Sequence, residues 1–139
     1  QVEENAEEDE NSLLIIDDMS ENLKIPAINA TINRLILNRR HKRLSIFILV
    51  QVFNKLPLST RKNISQMILC QRPANLKEVH SIFDELVFLP KEQHGKLLDY
   101  AFQKRFDHLL IDCDTGAFYR NFNKLILADN KDGKDQDKK

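Results

Sequence analysis

Two apolar runs, LLII at 13–16 and LSIFILV at 44–50, the second broken only by Ser45, constrain this chain more than any other feature. Both are short, rich in strand-favouring side chains and closed by polar ones, Asp17 and Asp18 in the first case and Gln51 in the second. Apolar runs without alternation are the pattern of strands buried on both faces, as in a parallel sheet covered by helices. Between them Ile28, Ile32, Leu35 and Ile36 recur at helical spacing behind Pro26, which suits a first turn, so a helix is expected over 26–38. A strand, a crossover helix and a second strand make a parallel unit.

The rest of the chain continues the alternation. Residues 53–61 contain Pro57 and turn formers and read as a loop leading into a short helical turn. A third strand is expected at 65–70, stopped near Pro73. An amphipathic helix follows, with Leu76, Val79, Ile82, Phe83, Leu86 and Val87 on one face and Asn75 as its N-cap. Pro90 separates it from a helix over 91–104 carrying Leu97, Leu98, Ala101 and Phe102. A fourth strand at 108–113 precedes a turn at 114–116, and a weaker strand is expected at 123–128. The sum is an α/β fold with a mostly parallel sheet and flanking helices. Residues 1–11 and 129–139 have too few apolar side chains to bury, so an acidic disordered leader and a charged disordered tail bracket one domain at 12–128.

A chain of 139 residues can bury one core, and its 21 basic residues balance its 21 acidic ones, which excludes a broadly polybasic binder. The balance hides an asymmetry: six acids and no base lie in 1–10, five bases and no acid in 34–43. No apolar run approaches the length of a membrane span, and the acidic start is unlike a signal peptide. Cys70 and Cys113 each end an apolar run and read as small core hydrophobes, in keeping with an intracellular, reducing compartment. His41, His80, His94 and His108 lack zinc-ligand spacing and read as structural or surface residues.

Asp17 and Asp18 are the first candidates for chemistry. Paired acids after a buried parallel strand stand at the carboxyl edge of the sheet, where open α/β folds bind ligands and where one carboxylate can hold Mg²⁺ while another orients water. The plain alternative is that they only end the strand. Gln51, closing the second run, can sense a γ-phosphate or bond a loop. Arg61, ten residues on, can reach a phosphate from a loop or remain solvated. The run Arg39, Arg40, His41, Lys42 and Arg43 can face a nucleic-acid backbone or simply cap a helix C-terminus, and it contains no aromatic to read bases.

In order, LLIIDDM, NRRHKRLSIFILVQVFNKLPLSTRKNISQMIL, FDELVF and FDHLLIDCDTGAFYRNFNKLIL resemble the C-terminal half of viral genome-packaging ATPases. These belong to the FtsK/HerA-like branch of P-loop ATPases of large DNA viruses, virophages and Polinton-type elements. The most discriminating part is Arg40-His41, Ser45, an apolar strand, Gln51, Leu56-Pro57, Arg61 and Asn63, within a resemblance over 13–127. It implies a partial RecA-like core in which Asp17 is the Walker B acid serving the metal. Asp18 is then the catalytic carboxylate, in place of the Glu of many relatives, Gln51 the sensor and Arg61 an arginine finger or sensor. It further implies ATP and Mg²⁺ as cofactors, double-stranded DNA as partner, a homo-oligomeric ring, capsid contacts, and a virus factory or virion as location.

The phosphate loop of such enzymes, G-x-x-x-x-G-K-[S/T], does not occur in these 139 residues. Gly95-Lys96 has Leu97 after it and Pro90 where the first glycine belongs; Gly133-Lys134 has Asp135 and Ala128. The resemblance places that loop's strand beside the sensor strand, so its absence implies an open sheet edge, and an isolated chain that is poorly stable, oligomeric or held by a partner. Two other readings compete: a non-catalytic, degenerate ATPase-like domain that binds protein or DNA, and a metal nuclease using Asp17, Asp18, Asp112 and Asp114.

Overall fold

The computed structural model describes residues 10–19 and 21–127. The expected leader at 1–11 and tail at 129–139 therefore lie almost wholly outside the described residues. In chain order the elements are β1 (Ser12–Asp17), α1 (Pro26–Asn38), β2 (Leu44–Leu49), α2 (Leu58–Arg61), β3 (Gln66–Leu69), α3 (Leu76–Leu86), α4 (Lys91–Ala101), β4 (Leu109–Asp112), β5 (Ala117–Arg120) and β6 (Asn123–Lys124). The described strands fall into two sheets. β1 and β2 pair in parallel, Ser12 opposite Leu44 through Asp17 opposite Leu49, while β3, β4, β5 and β6 form an antiparallel meander in that order.

The mostly parallel sheet expected from the sequence is thus corrected. One crossover helix, α1, returns β2 parallel to β1. Two helices, α3 and α4, separate β3 from β4, and the pair delivers β4 in the opposite direction. The turn after β4 makes the next pair a hairpin: the Asp112 carboxylate accepts the N–H groups of Asp114 and Thr115 at 3.1 and 3.2 Å, and Gly116 takes φ +70°. β5 (AFYR) was missed because it contains no apolar run, and the expected strand at 123–128 shrinks to two residues.

One cluster forms the core. Phe83, Ile82 and Val79 from α3, Leu97, Leu98 and Ala101 from α4, and Leu109, Ile111 and Phe118 from the antiparallel sheet are all nearly inaccessible. Asn75 does cap α3, its side-chain oxygen accepting from Lys77 N–H at 2.9 Å. His94 is buried between α3 and α4, donating from Nε2 to the Leu89 carbonyl at 2.7 Å, and its Nδ1 shares a hydrogen bond with His80 Nδ1 at 3.0 Å. α4 ends early, at Ala101 rather than 104, because the Asp107 carboxylate takes the N–H groups of Gln103 and Lys104.

β1 and β2 are not buried on both faces. Leu14, Ile16, Leu44, Ile46 and Ile48 turn inward, where Leu23, Ile28 and Ile32 meet the sheet, whereas Leu13, Ile15, Phe47 and Leu49 are 55%, 57%, 59% and 49% exposed. Strand side chains alternate faces, so these four share one uncovered surface. Cys70 is also exposed and Cys113 half-buried, both as free thiols, which corrects the reading of Cys70 as a core residue. Burial, and after it Asp112 and Asp114, push the Cys113 thiol up to about 11.

Candidate functional site

Asp17, Asp18, Leu49, Val50 and Gln51 line an open depression of about 320 Å³ at the carboxyl end of the parallel pair. The register explains the grouping. Asp17 lies opposite Leu49, and the Asp18 N–H extends the ladder one step by donating to the Leu49 carbonyl at 3.2 Å. Asp18 then leaves the sheet with φ +50°, a left-handed conformation that aspartate tolerates better than most residues, and this turns the chain sharply at the strand end. Period-two alternation puts Asp17 on the same face as Leu13 and Ile15, at one end of the uncovered apolar face, and Gln51 follows two residues beyond the end of β2. Both acids and Gln51 are exposed. Two carboxylates and an amide oxygen are hard oxygen donors, a set that suits Mg²⁺, with substrate oxygens and water completing its shell.

Arg61 is not in this depression. It ends α2, pairs with the Glu85 carboxylate of α3, and its guanidinium carbon lies 5.2 Å from the centre of the Phe53 ring. Its side chain is 15% exposed. Spacing from Gln51 indicated a reach toward phosphate, but the direction of the side chain is set by Glu85, which no spacing rule signals.

The basic run divides. Arg39 folds back on its own helix, donating to the Ile36 carbonyl at 2.8 Å and to Ser65 Oγ, just before β3, at 3.3 Å. That is the helix-capping reading of this residue. Arg40 and His41 are exposed, and Arg43 takes φ +47° in the turn into β2. The Ser12 N–H donates to the Arg43 carbonyl at 3.0 Å, so residues 39–43 adjoin the start of β1. Acids and bases stand at opposite ends of that strand, roughly 16 Å apart at about 3.3 Å per residue.

Asp112 and Asp114 belong to the β4–β5 turn, where backbone N–H groups engage Asp112. Among the described residues no three His, Cys, Asp or Glu side chains gather as a metal cluster, so the four-acid nuclease arrangement is not formed. Sequence reasoning also missed Leu49 and Val50 as lining residues and Glu85 as the partner of Arg61; only strand register and helix packing reveal them.

The family described as poxvirus A32 protein matches residues 1–88, which is more than half of the chain. The chain belongs to that family. This A32-family chain also shares its fold with the genome-packaging NTPase B204 of Sulfolobus turreted icosahedral virus 2. The B204 structure with ATP-gammaS aligns at TM-score 0.58 and 21% identity over 83% of this chain and 52% of that one. With AMPPCP the values are 0.58, 19%, 83% and 55%, and with AMP 0.57, 21%, 83% and 53%. The A32-family chain thus spans about half the length of B204. No curated protein matches it in sequence. The resemblance to viral packaging ATPases stands, and no helix among the described residues is long and apolar enough to cross a membrane.

Proposed function

We propose that this chain supplies the acid and sensor half of a DNA-packaging ATPase site, with the phosphate loop contributed by sequence outside these 139 residues. Asp17 holds Mg²⁺, Asp18 orients and deprotonates the attacking water, and Gln51 senses the γ-phosphate of ATP. The observation that carries this reading is the meeting of all three residues at the carboxyl end of a parallel pair in an A32-family chain. Arg61 serves as finger or sensor only on exchanging Glu85 for a phosphate. The complete motor couples hydrolysis to translocation of double-stranded DNA as a homo-oligomeric ring working against capsid components, in the virus factory or virion, and the run from Arg40 to Arg43 meets the DNA backbone.

The test is Mg²⁺-dependent ATP hydrolysis by the chain alone and by the chain joined to a phosphate-loop strand and helix. The chain alone turns over no ATP. The joined chain does, and Asp18→Asn lowers its kcat by about 100-fold or more. Turnover by the chain alone that Asp18→Asn abolishes refutes the need for a second segment; joined-chain turnover indifferent to Asp17→Asn and Asp18→Asn refutes the site. The second reading, a non-catalytic ATPase-like domain binding protein or DNA, is favoured by the engagement of Arg61 with Glu85 and requires that the joined chain stay inactive.

A further inference from the structure

Where α4 ends, rings and cations alternate on the surface. The Arg120 guanidinium carbon lies 5.6 Å from the centre of the Tyr100 ring and that of Arg105 4.9 Å from the Phe106 ring, while the His108 ring meets Phe122 edge-on at 4.7 Å. Phe106 is 82% exposed, Phe122 66% and Tyr100 54%. The support beneath them is rigid. The buried Asp107 carboxylate accepts from Gln103 N–H, Lys104 N–H and the Arg120 guanidinium at 3.0, 2.8 and 2.9 Å on one oxygen, and from the Asn121 side-chain amide at 2.7 Å on the other. Asn121 in turn accepts the His108 N–H at 2.9 Å, so one carboxylate staples two loops together. Both outward phenylalanines have left-handed backbone, φ +70° and +68°. Bulky side chains adopt that conformation only at a cost, and strained backbone clusters at functional sites, ligand clamps among them.

We propose that this platform binds single-stranded nucleic acid, with bases stacking on Phe106 and Phe122 and phosphates meeting Lys104 and Arg105. Unpaired bases offer π faces that stack on exposed rings, and arginine beside those rings adds cation–π attraction; a duplex keeps its base faces covered. Charge favours the same occupant. Lys104 and Arg105 lie on the first loop with no acid but Asp107 in 102–108, and Asp107 is neutralised by Arg120 in the staple; Lys124, on the flank of the second loop, acts on Asp112. Arg105 covers one face of Phe106, so a base on the other completes a three-layer stack. The platform is separate from residues 39–43, which contain no aromatic and adjoin β1. It is also independent of the ATPase reading, since neither nucleotide nor Asp17 takes part.

The test is fluorescence anisotropy of a labelled oligothymidylate titrated with the full chain at low salt. Binding weakens at least tenfold in the double variant Phe106→Gly, Phe122→Gly, because each stacked base contributes a factor of about 5 to 150. Glycine accepts both φ values, so this variant keeps or raises the unfolding midpoint, which separates lost binding from lost folding. Lys104→Ala weakens binding and flattens its salt dependence. No binding at low salt, equal binding by the double variant, or tighter binding of a blunt duplex than of the single strand overturns the proposal. So does sedimentation showing that the rings are instead buried in a dimer which the double variant dissociates and the oligonucleotide leaves intact.

Discussion

Both sheets of this protein leave apolar side chains exposed, Ile68 at 49% in the antiparallel one, but only that sheet has strand residues sealed from solvent altogether. In the antiparallel sheet, Leu109 and Ile111 have no exposed surface, closed over by α3 and α4. In the parallel pair, Leu13, Ile15, Phe47 and Leu49 face outward, and two strands alone do not make an independently stable sheet. The difference teaches that the antiparallel half carries the stability of the described residues, while the parallel half carries the candidate chemistry on a surface shaped for cover. Four substitutions bear on that division.

The largest effect falls in the closed half. Phe83, fully buried against His94 at 4.7 Å and Phe118 at 6.1 Å between ring centres, should cost about 3–5 kcal/mol on truncation to alanine, read as a lowered denaturation midpoint in urea. A loss below about 1 kcal/mol breaks the claim that stability resides there. Next comes an acid limb. Asn121 first, then the Lys104 N–H and Arg120, hold the Asp107 carboxyl down to about 2 from an ordinary 3.8. A carboxyl lowered on folding stabilises above its unfolded value, so this contribution is full above about pH 4 and lost as pH falls through about 2. Thermal melts of Asp107→Asn should show that limb flattened relative to the parent.

Smaller still, Asn75→Ala removes the cap of α3 and should cost about 1 kcal/mol by chemical denaturation. The smallest change in folding stability belongs to the open half: Phe47→Ser should alter it by no more than about 0.5 kcal/mol. Its effect appears in association instead. An uncovered apolar face promotes self-association, so sedimentation velocity should find the parent chain associating with concentration and the Phe47→Ser chain less so. A parent chain that remains monomeric at high concentration sinks the idea that this face awaits a partner.

Much of this was legible in the residues. Pro26 and the spacing of Ile28, Ile32, Leu35 and Ile36 fixed α1 at 26–38, and Asn75 marked the start of α3, because caps and helical periodicity are local properties. That Asp17, Asp18 and Gln51 would line one depression was legible because each follows an apolar strand, and strand ends of a parallel pair converge on one edge. Arg61 was not, since its direction depends on Glu85, 24 residues away in sequence. The aromatic platform was equally hidden: Phe106 and Phe122 are unremarkable in sequence until Asp107 and a left-handed backbone turn them outward.

By itself the sequence determined the strand and helix alternation, the strand-end acids, the lack of a phosphate-loop motif within these 139 residues and the resemblance to packaging ATPases, because these depend on residue type and short-range spacing. The tertiary structure decided the rest. Two consecutive helices reversed β4 and made the second sheet antiparallel, and packing on only one side left half of β1 and β2 bare. An apolar strand has the same pattern whether one face or two find a cover, so the choice between them belongs to long-range contacts rather than to the strand.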